Sequence, residues 1–367
     1  MKLSKIVVWN YLEEYKQNKN DILKIVDKVF QSGQLILSKE VENFENNFAK
    51  YTNTKFAIGV NSGTDALQIA LMAIGIKKND EVITVSNTAV PTVCAIVSCG
   101  AIPIYVDINK DDYLIDCSLI EKKISKKTKA IIPVNLYGQS ANYSAINKIA
   151  KKYRLKVVED CAQSTGALYK GKSCGSFGDL GAFSFYPTKN LGGYGDGGMI
   201  VTNNKELYLK CKKLRKYGME KLYYSDFHGV NSRLDEIHAA ILNFKLKKLN
   251  SNIKKRRRIA NIYNENLNKT DLTLPIENKD NFHSYYVYVV RHKKRDEIMN
   301  YLKKHNIYCN ISYPFPIHSM KGYKNLNKKK IILKNTDKLS KQIFSLPMYP
   351  ELSNKHLESV INILKKY

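Results

Sequence analysis

The chain has 367 residues, 44% hydrophobic and 25% charged, a balance that excludes a low-hydrophobicity disordered polymer and permits a sizeable buried core. Its 60 lysines and arginines against 33 acidic residues leave a net charge of +27, which alone would suit nucleic acid or another polyanion, but the excess is spread along the whole chain. No apolar run approaches the roughly 18 residues of a membrane helix, and the apolar residues of Met1 to Trp9 are too few for a secretory signal, so the chain reads as soluble and cytoplasmic.

This length suits one large α/β domain followed by a smaller one. Helical spacing of apolar residues runs from Asn20 to Phe30, stopping at Ser32-Gly33, and again from Lys39 to Tyr51. Short apolar runs then predict strands over Phe56 to Val60, Glu81 to Val85, Ile102 to Ile108, Lys129 to Leu136, Lys156 to Glu159, Ala182 to Phe185 and Met199 to Thr202. Helical patterns fall between the earlier ones, at Thr64 to Ile74, Thr92 to Cys99, Ser118 to Ile124 and Ser144 to Tyr153. Such alternation argues for a mostly parallel central sheet covered by helices on both faces.

A long helical pattern from Ser232 to about Leu267 reads as a connector. Beyond it come strand-like Tyr285 to Arg291, helical Arg295 to Lys304, strand-like Ile307 to Ser312, and helices near 337–343 and 354–366, a small α/β unit. The boundary is placed near 250, giving a large domain over 1–250 and a small C-terminal one over 251–367. The densest basic run, Lys254 to Arg258, is interleaved with Ile253, Ile259, Ala260 and Tyr263 and reads as the solvated face of a helix. The Lys/Asn/Ile-rich stretch Asn325 to Asn335 reads as compositional bias as much as a binding surface. Seven cysteines, an odd number without a C-x-x-C pair, indicate free thiols and neither zinc nor disulfides.

Three segments carry chemistry. In Gly181 to Gly198 an apolar strand runs into Lys189, and a glycine-dense turn leads into another strand. A lone lysine is by default a surface residue, but glycines crowd this way where a chain packs closely round a ligand. Asp160 ends an apolar strand, where an aspartate caps a helix, binds a metal or partners a cation, and ligands of open α/β sheets sit at such strand ends. Asn61 to Leu67 reads as strand end, Gly turn and helix start, whose free amides and positive dipole end suit a phosphate. An anion-binding helix start, an aspartate at a strand end and a lysine in a Gly-rich loop are what pyridoxal phosphate requires: donors for its phosphate, a carboxylate for its ring nitrogen and an amine for its aldehyde.

The sequence resembles the DegT/DnrJ/EryC1 family of nucleotide-sugar aminotransferases of fold-type I. The resemblance spans nearly the whole chain and rests on Gly33 to Glu45, Asn61 to Leu67, Asp80 to Thr84, Gly100 to Asp107, Leu136 to Gln139, Glu159 to Gln163, Phe183 to Gly198, Gly229 to Leu234 and Tyr313 to His318. It implies that Lys189 carries pyridoxal 5'-phosphate and that Asp160 pairs with the ring nitrogen. By the same resemblance Gln163 would bond the phenolic oxygen, while Gly63, Thr64 and Ser184 would hold the phosphate. Asn231 would reach the phosphate of a neighbouring subunit, which implies a homodimer with shared active sites. Tyr186 and His318 are candidates for the sugar-nucleotide pocket. In many relatives an aromatic residue stacks on the pyridine ring, and here the aligned position is Ala89. The resemblance further implies glutamate as donor and, as acceptor, a dTDP-linked 3-keto-6-deoxyhexose, for an amino-deoxysugar of a surface glycan. The alternatives are C4 amination of a UDP- or dTDP-linked 4-keto sugar, a cofactor-binding regulator and a nucleic-acid-binding protein. Intact Lys189 and Asp160 speak against the regulator, and no recognisable nucleic-acid-binding motif supports the last.

Overall fold

The structure, a computed structural model, describes residues 5–326 and 331–367. Met1 to Ser4 of the opening segment and Asn327 to Lys330 of the Lys/Asn-rich stretch lie outside the described residues. The central sheet has seven strands: β1 (Phe56–Val60), β2 (Glu81–Val85), β3 (Ile102–Val106), β4 (Thr128–Ile131), β5 (Lys156–Asp160), β6 (Leu180–Ser184) and β7 (Gly198–Thr202). Their order is β1-β7-β6-β5-β4-β2-β3. β2 through β6 pair in parallel, and β7 runs antiparallel to both of its neighbours, β6 and β1. Every residue of β6 and β7 is buried, as expected of strands with helices on both faces.

The helices are α1 (Tyr11–Gln31), α2 (Lys39–Thr52), α3 (Gly63–Ala73), α4 (Val90–Ser98), α5 (Tyr143–Tyr153), α6 (Lys205–Leu214), α7 (Glu236–Leu246) and α8 (Leu249–Leu267). On one side of the sheet α3 buries Leu67, Ile69 and Leu71 against Ile58, Val158 and Ile200. On another, Phe44 and Phe48 of α2 meet Phe183, Phe185 and Leu242. Edge strand β1 is sealed by a buried ion pair. Gly59 donates its N–H to Glu45 Oε1 at 2.7 Å, its carbonyl accepts from Arg215 Nη1 at 2.7 Å, and Arg215 also bonds Glu45. Both outward polar groups of Gly59 are thereby closed to another strand.

In its secondary structure the chain departs from the sequence expectations at four places. Ser118 to Ile124 forms two short 3-10 turns, Cys117–Leu119 and Glu121–Lys123, because so short a stretch does not offset the cost of nucleating an α-helix. The long pattern from Ser232 splits into α7 and α8, since α7 buries Ala239 and Leu242 in the large unit while α8 carries Ile259, Ala260 and Tyr263 into the C-terminal cluster. Ile307 to Ser312 makes only the isolated bridges Ile307 to Ile6 and Asn310 to Ser345. The partner of β8 (Tyr288–Arg291) is instead β9 (Ile343–Leu346), an apolar run beginning where a helix was expected to end.

With α9 (Arg295–Lys304), α10 (Lys334–Leu339) and α11 (Asn354–Leu364), these strands complete the C-terminal unit. Its core gathers Tyr263, Tyr288, Phe344, Leu357 and Val360, and draws in Ile6 from the opposite end of the chain. All seven cysteines are free, with Cys161, Cys174 and Cys211 buried. No helix among the described residues is long and apolar enough to cross a membrane.

The basic run in α8 is not uniformly solvated, contrary to the sequence reading. Lys254, Lys255 and Arg258 are exposed, but Arg256 is buried and Arg257 pairs with Glu277 at 2.7 Å while lying over the Phe282 ring. Burial pulls the Arg256 guanidinium down to about 10, so it stays charged at neutral pH. It donates to the carbonyls of Tyr285 at 3.3 Å, Tyr286 at 3.1 Å and Met348 at 3.0 Å, and so ties α8 to the segments flanking β8 and β9. Replacing Arg256 by Leu leaves those carbonyls without their donor. We expect a loss on the order of 2–4 kcal/mol, read as a lowered midpoint in denaturant titration, and an unchanged midpoint would remove Arg256 from this role.

Candidate active site

The carboxyl ends of β1, β2, β5 and β6 open on one cavity of about 260 Å3. Gly63, Thr64, Asp160, Gln163, Ser184, Tyr186 and Lys189 all line it, so seven of the expected site residues converge although they span the chain from 63 to 189. Thr88, Ala89 and Thr92 complete the wall from the loop after β2. A larger groove of about 750 Å3 along α2 and the start of β1 contains none of these expected residues. Chemistry rather than size identifies the site.

One end is an anion cradle. Ser62 caps α3, its hydroxyl accepting from Asp65 N at 3.1 Å, and the amides of Gly63 and Thr64 precede the first intrahelical acceptors. They therefore present free N–H groups at the positive end of the helix dipole. Gly63 is required sterically, because a Cβ there would stand 2.7 Å from Ser184 Cβ. Ser232 steadies this helix start by donating to Asp65 Oδ2 at 2.7 Å and accepting from Asn61 N at 3.0 Å. Its neighbour Asn231 is exposed and does not line the cavity.

Asp160 lines the same cavity and is 4% exposed. Its Oδ1 accepts from Ala162 N at 3.1 Å and its Oδ2 from Thr92 Oγ1 at 2.7 Å. Burial raises its carboxyl above the usual carboxylate range, against the opposing pull of Thr92, the Ala162 amide and the Lys189 charge. Among the described residues no salt bridge includes Asp160, so the carboxylate faces the cavity without a close cation.

Lys189 follows β6 on a turn closed by its own N–H to Tyr186 O at 2.8 Å. Its Nζ stands 4.5 Å from the ring centroid of Tyr286, whose hydroxyl bonds Thr188 Oγ1 at 3.0 Å. Gln163 is held at both ends: Oε1 accepts from Tyr137 N at 2.8 Å and Nε2 donates to Tyr313 OH at 2.9 Å. One Nε2 proton remains for a ligand. Burial pushes the Tyr313 hydroxyl well above its ordinary range, so it stays protonated. Tyr286 belongs to the C-terminal half and was not marked by any local sequence signal. Tyr313 lay in a recognised motif, but nothing in that motif indicated that its hydroxyl meets Gln163.

Tyr186 lines the cavity and is 52% exposed, at its mouth. His318 does not reach the lining. Its Nδ1 bonds Ser86 Oγ at 2.8 Å and its Nε2 faces Asp337 Oδ1 at 3.2 Å, so both ring nitrogens are occupied. Burial lowers its pKa, opposed by Asp337 and Asp107. The geometry makes it a clasp between the loop after β2 and the segment around α10. Ala89 does sit in the cavity wall, so this position contributes no aromatic face.

The profile of the DegT/DnrJ/EryC1/StrS aminotransferase family matches residues 16–365. The chain is 47% identical over 365 residues to a dTDP-3-amino-3,4,6-trideoxy-alpha-D-glucose transaminase of Micromonospora megalomicea subsp. nigra, covering 98% of each chain. S. venezuelae DesV superposes with a TM-score of 0.97 at 36% identity, over 99% of this chain and 98% of that one. Bacillus subtilis NtdA, solved with bound cofactor PMP, superposes with a TM-score of 0.91 at 31% identity, over 100% of this chain and 86% of that one.

Pyridoxal phosphate, the family's cofactor, fits the residues present. A buried carboxylate without a close cation suits a protonated ring nitrogen, free helix amides suit a phosphate, and the Lys189 amine on the same cavity suits an aldehyde. The tightness at Gly63 supplies a test. In Gly63→Ala either α3 or the end of β6 must shift, and we expect pyridoxal phosphate affinity, measured by absorbance titration, to fall at least tenfold. Gly193→Ala is the control, since a Cβ there meets nothing nearer than 3.6 Å, and its affinity should stay within twofold. Equal affinities for the two variants would refute the cradle.

Proposed function

The chain belongs to the DegT/DnrJ/EryC1/StrS aminotransferase family, and we propose that it transfers the amino group of glutamate to C3 of a dTDP-linked 3-keto-6-deoxyhexose. It is a pyridoxal-phosphate-dependent nucleotide-sugar aminotransferase. The choice of C3 rests on the Micromonospora relative, whose product carries its amine there. The convergence of Lys189, Asp160 and the amino end of α3 on one cavity carries the residue assignments.

When bound, the cofactor supplies an electron sink for the carbon that bears the transferred amino group. The amides of Gly63 and Thr64, with the Ser184 hydroxyl, hold its phosphate. The Asp160 carboxylate holds the proton on the ring nitrogen by favouring the charged form. Gln163 offers its remaining Nε2 proton to the phenolic oxygen, its orientation fixed by Tyr137 N and Tyr313 OH. Lys189 Nζ acts as the base that takes the proton from the donor's α-carbon, and in the return half-reaction it delivers a proton to the sugar carbon. Tyr186, half-exposed at the mouth, meets the sugar nucleotide. Two half-reactions at one site give ping-pong kinetics.

A homodimer with shared sites accounts for Asn231, which is exposed here yet adjoins Ser232, the residue that braces the cradle. We place the enzyme in the cytoplasm, which the free thiols support. Incubation with glutamate and a panel of nucleotide-linked 3-keto and 4-keto sugars, with NMR assignment of the aminated carbon, tests the regiochemistry. An amine at C4 overturns it.

Lys189→Ala tests the centre of the assignment, because one amine both tethers the cofactor and moves the proton. We expect no cofactor fixed to the protein by borohydride, retention of reversible pyridoxal phosphate binding, and turnover reduced by at least roughly 10³-fold, about 4 kcal/mol of barrier. Substantial turnover, or reductive labelling of another lysine in the unmodified enzyme, would show the assignment to be wrong.

A further inference from the structure

Two buried hydroxyls stand behind Asp160, and neither has a role in the account above. Thr92 is 0% exposed and Thr88 2%. Thr92 Oγ1 lies 2.7 Å from Asp160 Oδ2, and Thr88 Oγ1 lies 2.8 Å from Thr92 Oγ1. A threonine hydroxyl has one proton to give. With Asp160 ionised, the Thr92 proton goes to the carboxylate, so the Thr92 oxygen accepts from Thr88. The direction of both bonds is thereby fixed: Thr88 to Thr92 to Asp160.

We infer that Thr92, backed by Thr88, is a positioning residue that sets the orientation and charge of Asp160 toward the cofactor's ring nitrogen, an inference that rests on the role given to Asp160 under the proposed function. Two features distinguish this from an ordinary satisfied core hydroxyl. The carboxylate receives one donor on each oxygen, Ala162 N from its own loop and Thr92 from α4, a separate element following β2. Held from two elements, it cannot rotate away without breaking one bond, and a lone pair on each oxygen stays open to a cation in the cavity. Thr88 and Thr92 also line that cavity, so the chain of hydroxyls runs along the wall where the ring nitrogen would sit. Successive hydroxyls aimed at one anion polarise each other in its favour.

The sign of the effect follows. Burial raises the Asp160 carboxyl, and the Thr92 hydroxyl opposes that rise, as does the charge of Lys189. Tyr313 also lies near Asp160, and burial keeps its hydroxyl protonated across the neutral range. Removing the hydroxyl therefore makes Asp160 easier to protonate, and its pairing with a cationic ring should fail at a higher pH.

In Thr92→Val, which keeps the shape but not the donor, we expect pyridoxal phosphate affinity at pH 7 to fall about tenfold by absorbance titration. The acidic limb of kcat against pH should move up by about one unit, with KM for both substrates within twofold. Thr92→Ser, which keeps the hydroxyl, should recover most of the affinity and the original limb. Thr88→Val removes only the tail of the chain and should shift both readouts the same way by a smaller factor, which keeps the test open if Thr92→Val does not fold. Asp160→Asn separates the two levels. If it retains normal affinity and turnover, the proposed role of Asp160 itself fails. If Asp160→Asn is impaired while Thr92→Val and Thr88→Val match the unmodified enzyme, this inference alone is overturned. Equal losses in Thr92→Ser and Thr92→Val would also overturn it, since packing rather than the hydroxyl would then matter.

Discussion

Asp160 is 4% exposed at the carboxyl end of β5, and a carboxylate that far out of water is tolerable only when hydrogen-bond donors or a cation replace the solvent. The surrounding segments can be understood from this constraint. The loop after β5 turns back so that Ala162 N meets one oxygen, and the helix after β2 brings Thr92 to the other. The adjacent Glu159 faces the same problem and solves it within the protein, accepting from the amides of Gly175 at 2.7 Å, Phe177 at 2.6 Å and Gly178 at 2.7 Å. Neighbouring acids on one strand thus divide the work. Glu159 is fully committed to shaping the turn before β6, whereas Asp160 keeps open capacity toward the cavity.

The resemblance already gave Asp160 the ring nitrogen, but nothing in the sequence indicated that its neighbour Glu159 is spent on three backbone amides. The large sheet was legible because its strands are buried on both faces and read as continuous apolar runs, so β1 and β2 fall where they were expected. The C-terminal unit was less so. Ile307 to Ser312 and Ile343 to Leu346 are both short apolar runs, and only tertiary pairing decides that the second becomes a strand. The ligand-facing positions followed the same division. Lys189 and Gly63 sit in glycine turns after strands, a local signal. Thr92 reads as an ordinary helix residue, and Thr88 lies in the loop before that helix begins, so no local signal marks the two hydroxyls as partners.

Charge is a similar case of context deciding over composition. A run of five basic residues looks like a surface patch, yet Arg256 is spent on three carbonyls inside the protein and Arg257 on Glu277. Periodicity placed the run on a helix. What it missed is that α8 lies between two cores, so that no single face of it is wholly solvated. A guanidinium suits the buried position because its several fixed donors can satisfy several carbonyls at once, which a lysine would not match.

The separation between the anion cradle and Lys189 is also set by backbone contact rather than by side-chain reach. Gly63 lets the start of α3 close on Ser184, the last residue of β6, and Gly198 lets β7 begin against the carbonyl of Ser62, where a Cβ would stand 2.3 Å away. Between those two contacts the chain must leave β6, present Lys189 and return. Gly192, where a Cβ would meet Pro187 O at 2.3 Å, and the bond from Gly193 N to Phe185 O at 2.8 Å make that return tight. Both ends of the lysine loop are thus pinned to the same helix start that supplies the phosphate amides. A ligand of fixed length, with an anion at one end and an aldehyde further along, meets groups whose spacing is already determined, so little ordering entropy is lost on binding. The glycines are therefore part of the recognition even though they offer no functional group, and their density after Lys189 was the feature that first distinguished this lysine from the rest.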